Sequence, residues 1–283
     1  MQAVEIRKDI YWVGAIDWSM RSFHGYATSR GSTYNAYLII DDKITLIDTV
    51  KAEFSEELLA RVSSVIDPAR IDYIISSHVE PDHSGAIPFM AQRCPNAKII
   101  TSLPNGLKGL KAHYGELSYE GVKAGDTLDI GHRKLTFITT PMLHWPDSMI
   151  TYCPDEKILF SNDAFGEHLA TSQRFDDEND LPTVLWEAKK YYANILNPFS
   201  TFVAKKLEEI GSLNIPIDMI APSHGVIWRD NPLQIVEKYA QWAKEYQEDQ
   251  LTIVYDTMWH STETMAAAIG EGLFAAGVPF EIL

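Results

Sequence analysis

Four side chains that can bind a metal ion lie within six residues of each other, in the stretch "HVEPDH". They are His78, Glu80, Asp82 and His83. A curled loop can bring residues at positions i, i+2, i+4 and i+5 around one point. Two carboxylates and two imidazoles buried there without a cation would be strongly destabilising. The cluster therefore predicts a metal site in preference to a solvated polar loop.

Three further candidate ligands each follow a later apolar run. His144 comes after "LTFITT", Asp163 after "KILF" and His224 after "IDMIA". Taken alone, each of them could equally be a cap or a core residue. If the apolar runs are aligned strands, their ends meet at one edge and present seven ligands together, which is enough for two metal ions.

The types of ligand limit the metal. Cys94 and Cys153 are the only cysteines and form no CxxC pair, so neither a thiolate zinc site nor a disulfide framework is predicted. Nitrogen and carboxylate ligands suit zinc, iron or manganese. Glu80 adds an anionic oxygen, which stabilises ferric iron and therefore favours redox chemistry over zinc-dependent hydrolysis.

Hydrophobic periodicity predicts the elements that position these residues. Amphipathic helices are expected at 53–66, 183–196, 202–213 and 231–247. Strands are expected at 10–17, 71–77, 97–102, 133–141, 157–163 and 217–223, with a hairpin at 33–50. The candidate ligands therefore follow four of the predicted strands.

The overall composition is that of a soluble globular protein. The chain has 283 residues, of which 46% are apolar and 22% charged. No apolar run reaches the roughly 18 to 20 residues of a membrane helix, and the N-terminus has no signal-peptide core, so a cytoplasmic location is expected. The net charge of −15 disfavours nucleic acid or an anionic membrane as a partner.

A domain boundary is expected near residue 248. Beyond it, "LTIVYD", the loop "TMWHST" and a helix read as the opening of a βαβ unit. We therefore predict one domain at 1–248 and a second segment at 249–283, which is shorter than the roughly 100 residues of a complete domain. Hydroxyls in the loop could hold a phosphate at the helix N-terminus, or could simply cap the helix.

The pattern HxExDH resembles that of the flavodiiron proteins. These belong to the metallo-β-lactamase superfamily, whose hydrolases carry HxHxDH, with histidine at the position of Glu80. The resemblance extends over almost the whole chain. Its other motifs are "GSTYNAYLII" at 31–40, "PMLHWPDSM" at 141–149, "NDAFG" at 162–166, "FDD" at 175–177, "KYYANIL" at 190–196 and "PSHGVIWR" at 222–229.

The resemblance implies an αββα sandwich of the metallo-β-lactamase type, followed by the start of a flavodoxin-like domain. It implies an enzyme that reduces O2 to water, or NO to N2O, at a centre of two iron ions. In this family FMN relays electrons from rubredoxin or another donor. A head-to-tail homodimer is also implied, because the FMN of one subunit lies near the irons of the other.

The resemblance also implies roles for individual residues. One iron would be bound by His78, Glu80 and His144, the other by Asp82, His83 and His224, with Asp163 bridging them. Residues expected to face the substrate are His24, Tyr26 and Tyr192. Asp48 is expected to orient a ligand imidazole, whereas surface or capping positions are expected for His113, His132 and His168.

The segment after residue 250 resembles the FMN-phosphate loop of flavodoxins. The corresponding residues are Thr257, Met258, Trp259, His260, Ser261 and Thr262. His260 stands where flavodoxins often have glycine. The chain ends at Leu283, before the loops that contact the isoalloxazine ring, so FMN binding is doubtful for these 283 residues alone.

Two alternative functions remain open at this point. A zinc hydrolase, such as a thioesterase or lactonase, would be favoured by histidine at position 80 and is disfavoured by Glu80. A di-iron oxygen sensor without flavin would suit the short tail, but such a sensor has no need of the phosphate-binding loop.

Overall fold

A computed structural model describes residues 1–244 and 246–283 and divides the chain into two compact units. The first runs from Met1 to Lys244, and the second ends at Leu283. The boundary expected from the sequence was at 248, and the structural division follows Lys244. Within the described ranges, every helix is too short or too polar to cross a membrane.

The first unit contains a seven-stranded mixed sheet. The last four strands of this sheet, from Ile44–Ile47 to Tyr119–Val122, run parallel to one another. Parallel strands are usually apolar and buried on both faces. In spatial order the strands are Val4–Arg7, Ile10–Trp12, Tyr37–Ile39, Ile44–Ile47, Ile71–Ser76, Lys98–Ser102 and Tyr119–Val122.

A second sheet of five strands packs against the first. Its last two strands, separated by a long helical connection, are parallel, and the others are antiparallel. In spatial order they are Thr127–Asp129, Lys134–Thr139, Met149–Cys153, Ile158–Asn162 and Met219–Pro222.

Helices cover the outer face of each sheet. Those packed against the first sheet are Ser55–Ser63, Ile87–Arg93 and Asn105–Tyr114. Those packed against the second are Leu181–Tyr191, Ser200–Ser212 and Leu233–Trp242. The short helix Pro81–Ser84 lies between these two sets in the sequence.

Three apolar cores hold these layers together, one under each helical layer and one between the sheets. In the central core, Tyr37 and Ile75 of the first sheet pack with Phe137 and Phe160 of the second. The strand residues alternate between the central and outer cores because strand side chains alternate in direction. The expected αββα sandwich is confirmed.

Some predicted elements differ from those in the structure. The strand expected at 10–17 divides into Ile10–Trp12 and Ala15–Asp17 because the chain leaves the large sheet at Gly14. A Cβ atom at Gly14 would lie 2.2 Å from the carbonyl oxygen of Tyr34, so the neighbouring strand approaches the bare backbone closely. The neighbouring strand Ser32–Tyr34 pairs with Ala15–Asp17. The hairpin expected at 33–50 is therefore formed by Tyr37–Ile39 and Ile44–Ile47.

Two small pieces complete the secondary structure. Within the first unit, a two-stranded ribbon joins Ser22–Phe23 to Tyr26–Ala27. In the second unit, strands Leu251–Ile253 and Phe280–Ile282 are parallel and are connected by the helix Ser261–Ala275. The second unit is therefore a single βαβ element.

Candidate metal centre

The end of one strand in the first sheet positions the HVEPDH cluster. Strand Ile71–Ser76 stops two residues before His78. Pro81 then starts the short helix Pro81–Ser84, since proline suits the first turn of a helix. Asp82 and His83 lie on that helix, and both are buried.

The second sheet supplies the other three ligands. Strands Lys134–Thr139, Ile158–Asn162 and Met219–Pro222 run in the same direction, as their pairings require. Their carboxyl ends meet at one edge of the sheet and lead to His144, Asp163 and His224.

One group of ligand atoms surrounds the Oδ2 atom of Asp163. The Nε2 atoms of His78 and His144 lie 3.1 and 3.2 Å from it. Glu80 Oε2 lies 3.2 Å from His144 Nε2 and 3.6 Å from His78 Nε2. These three residues and Asp163 therefore enclose one small space.

A second group faces the other carboxylate oxygen. Asp163 Oδ1 lies 3.5 Å from His83 Nε2 and 3.9 Å from His224 Nε2. The two imidazole nitrogens are 3.0 Å apart, and Asp82 Oδ2 lies 3.2 and 3.1 Å from them. Asp163 thus stands between two groups of three ligand atoms.

The chemistry of these atoms fits metal ions. Metal–nitrogen bonds of about 2.0–2.1 Å place neighbouring ligand atoms about 3 Å apart, and the distances here run from 3.0 to 3.9 Å. Several of the atoms that face each other are buried and make no hydrogen bond, although such atoms are normally paired. They are His78 Nε2, His144 Nε2 and both carboxylate oxygens of Asp163.

The electrostatics of the cluster favour a cation. Burial tends to raise the pKa of Asp163, but the facing imidazoles of His78 and His144 outweigh it and hold the pKa well below its usual value. Burial lowers the pKa of His144, whereas Asp163 and Glu80 raise it to about 9. The ionised carboxylates thus favour positive charge where the imidazole nitrogens converge.

Both oxygens of the Glu80 carboxylate are held by neighbours. His24 Nε2 donates to Oε1 at 2.8 Å, and the Trp145 indole N–H donates to Oε2 at 2.7 Å. His24, expected to face the substrate, thus lies beside the cluster. Trp145 was not predicted, although it follows His144 directly in the sequence.

Hydrogen bonds also orient the ligand imidazoles, as is usual at metal sites. His224 Nδ1 donates to the carbonyl of Thr33 at 2.6 Å, which turns Nε2 towards the cluster. Asn162 Nδ2 lies 3.2 Å from His78 Nδ1. Asp48, expected to orient an imidazole, instead accepts from the backbone N–H of Ser77 at 2.7 Å.

Two tyrosines expected to face the substrate differ in their environment. Tyr26 is partly buried, its hydroxyl has no hydrogen-bond partner, and its ring lies 5.8 Å from that of His168. The prediction that Tyr192 faces the substrate is wrong. Its hydroxyl hydrogen bonds with Ser200, and its ring packs on Tyr239.

The adjacent Tyr191 occupies the place expected of Tyr192. Its ring lies 5.1 Å from His168 and 6.0 Å from His224, and its hydroxyl is buried without a partner. Burial raises the pKa of Tyr191 well above its usual value, with Asp163 adding to the effect. The α-helix Leu181–Tyr191 ends at Tyr191, Tyr192 begins a π-helical turn, and the two rings contact different neighbours.

The surface or capping position expected for His168 is also wrong, because His168 is buried beside the candidate ligand His224. Its Nδ1 atom hydrogen bonds with Ser32 Oγ at 2.8 Å, and its ring lies 4.7 Å from that of His224. Burial lowers the pKa of His168 well below its usual value. His113 and His132 are exposed, as expected.

The predicted phosphate loop lies in the second unit, before the helix Ser261–Ala275. His260 has φ of 64°, the left-handed conformation that favours glycine, and its Nδ1 lies 2.5 Å from Glu263 Oε2. The Thr262 hydroxyl donates to the carbonyl of Asp256. Met258 and Trp259 are exposed. Thr257 precedes them in the loop, whereas Ser261 is the first residue of the helix.

Comparisons with known proteins agree with this architecture. Residues 33–225 match the family described as "ODP family beta lactamase". A nitric oxide reductase of Moorella thermoacetica is 52% identical over 280 residues, covering 98% of this chain and 70% of the relative. An anaerobic nitric oxide reductase flavorubredoxin of Salmonella arizonae is 50% identical, covering 96% of this chain but only 57% of the relative.

Solved structures give the same result. The rubredoxin oxygen:oxidoreductase of Desulfovibrio gigas is 44% identical, with a TM-score of 0.96 over 100% of this chain and 71% of that protein. The flavodiiron protein of Giardia intestinalis is 40% identical, with a TM-score of 0.96 over 100% of this chain and 69% of that protein. These relatives do not favour the zinc-hydrolase or oxygen-sensor alternatives. The chain belongs to the flavodiiron family of metallo-β-lactamase-like proteins, which is characterised by a di-iron centre.

Proposed function

We propose that the chain carries the di-iron centre of an oxidoreductase that reduces O2 to water, NO to N2O, or both. In this proposal His78, Glu80 and His144 would hold one iron, and Asp82, His83 and His224 would hold the other. Asp163 would contribute a carboxylate oxygen to each site. The observation that carries the proposal is that each carboxylate oxygen of Asp163 faces a separate group of three ligand atoms.

When bound, two iron ions supply the redox chemistry, which consumes four electrons and four protons per O2, or two of each per pair of NO molecules. The protein must then fix the ligands and provide protons. His24 and Trp145 fix both oxygens of Glu80, so that this carboxylate keeps one orientation. The unpaired hydroxyl of Tyr191 is available to donate a hydrogen bond, and its raised pKa keeps it protonated.

We further propose that electrons arrive through FMN from rubredoxin or a similar donor. The name of the Desulfovibrio gigas relative includes rubredoxin, which supports this donor. The loop Thr257–Thr262 would contribute to the FMN-phosphate site, as the first part of a flavodoxin-like domain that starts near residue 249. A head-to-tail homodimer and a cytoplasmic location belong to the same proposal.

The direct test uses purified full-length protein with its metal content measured. After anaerobic reduction, O2 and NO are added in separate reactions and their consumption is followed with electrodes. We expect about two irons per chain and rapid consumption of at least one gas. Protein without iron, or iron-loaded reduced protein inert to both gases, would refute the proposal.

A matched control separates iron chemistry from the fold. The same protein reconstituted with zinc keeps the ligands and their charge but cannot change oxidation state. It should therefore be folded and inactive. The variant Glu80→His, which restores the hydrolase pattern, should retain less iron relative to zinc than the parent protein.

A further inference from the structure

A cavity of about 140 Å3 lies between the second sheet and the helices Ser200–Ser212 and Leu233–Trp242. It is lined almost entirely by aliphatic and aromatic side chains. Among the described residues that line it, Asn214 alone has a polar side chain. The cavity is distinct from the cluster of metal-ligand candidates.

The cavity extends from the surface into the core. Leu233 at its rim is 48% exposed, whereas Leu159 and Phe165 at its floor are buried. An apolar cavity of similar size in another protein stays free of water and binds benzene or xenon. The size and lining here therefore suit a small apolar molecule.

The floor of the cavity is formed by the turn that carries Asp163. The carboxylate of Asp163 contacts His78 and His144, whereas the Phe165 ring lines the cavity. The side chains of this one turn thus face two different spaces. Phe165, which lines the cavity, is therefore two residues along the chain from Asp163 of the candidate metal centre.

The conformation of this turn is unusual and firmly held. Phe165 has φ of 70°, which is rare for an aromatic residue. Its N–H donates to the hydroxyl of Tyr239 at 2.8 Å, and its carbonyl accepts from the Trp228 indole at 2.9 Å. Such strain persists only where the surrounding structure enforces it.

We propose that this cavity binds the diatomic gas substrate, O2 or NO, and holds it next to the turn of Asp163. Both gases are small and apolar, so they enter an apolar space more readily than water does. Polar molecules of similar size gain no hydrogen bonds from this lining. The identity of the gas rests on the proposed function, whereas the existence of the binding site does not.

Xenon tests the binding site without any turnover. Crystals of the full-length protein pressurised with xenon should show a xenon atom between Phe165 and Val236, both with and without bound iron. The variant Val236→Phe should lose it, because the added ring fills part of the space. An empty cavity in the pressurised parent protein would overturn the proposal.

Steady-state kinetics test the role in gas supply. Val236→Phe should raise KM for the gas severalfold with kcat retained, and Val236→Ala should not raise it. Glu208→Phe places the same ring on an exposed position of the adjacent helix and should behave as the parent. An unchanged KM in Val236→Phe would overturn the gas-supply role. Xenon binding in a protein that reduces neither gas would overturn the proposed function and the substrate identity together.

Discussion

Replacing Gly225 with alanine should destabilise the protein and disturb the candidate metal centre. Gly225 follows His224 and has φ of 78°, where L-residues are strained. A Cβ atom there would lie 2.1 Å from Glu167 Oε1, 2.2 Å from Glu167 Cδ and 2.7 Å from the Glu167 carbonyl oxygen. Glu167 is fully buried and cannot simply move into solvent.

Two costs add in this variant. The left-handed backbone costs an alanine about 1–2 kcal/mol. Displacing Glu167 also breaks its hydrogen bond from the N–H of Val226, which is 2.7 Å long. A buried donor left unpaired costs about 1–3 kcal/mol. We therefore expect Gly225→Ala to lower the free energy of unfolding by about 2–5 kcal/mol.

The matched control is Gly125→Ala, at the third position of the turn closed by the hydrogen bond from Asp126 N–H to the Lys123 carbonyl. Gly125 has φ of 84°, but a Cβ atom there would meet nothing within 4 Å. This variant should pay only the backbone cost of about 1–2 kcal/mol. Urea unfolding measures both values, and iron analysis should show metal loss in Gly225→Ala only, because its clash adjoins His224. Equal destabilisation of the two variants would refute the reasoning.

Three further predictions concern the site, the pH dependence and the core. Tyr191→Phe should slow gas reduction without losing a hydrogen bond that stabilises the fold, because its hydroxyl has no partner, whereas Tyr192→Phe should leave the rate unchanged; the reverse result would mean that Tyr192 faces the substrate. Burial tends to raise the pKa of Asp41, but hydrogen bonds from backbone N–H groups and Arg133 lower it to about 2, below its ordinary 3.8. That stabilisation is present above pH 3.8 and is lost as the pH falls through 2. Asp41→Asn should therefore be less stable than the parent protein by about 1–2 kcal/mol at pH 7. Urea titrations should show this difference shrinking as the pH falls from 3.8 to 2. Phe137→Ala, in the central core, should cost about 3–5 kcal/mol in the same assay, and a cost below 1 kcal/mol would mean that this core tolerates the cavity.

Much of the fold could be predicted from the sequence because its signals are local. Parallel strands buried on both faces read as apolar runs, and the ligand residues follow them directly. Boundaries were predicted less well at Gly14, where the strand is interrupted by a close approach from Ser32–Tyr34. That contact joins residues far apart in the chain and leaves only a glycine as its local trace.

The HxExDH pattern and the later His144, Asp163 and His224 are enough to indicate a two-metal site, because each ligand follows an apolar run and glutamate replaces histidine at position 80. The sequence by itself therefore determined the fold class, the family and the candidate ligand set. Only the tertiary structure decided which neighbours serve that site. Tyr191 faces it in place of Tyr192, because Tyr191 packs beside His168 and His224 whereas Tyr192 packs on Tyr239. His168 is buried beside His224, and Trp145 reaches Glu80, through contacts between segments distant in the sequence. Such contacts depend on how the layers pack, and no spacing within one segment specifies them.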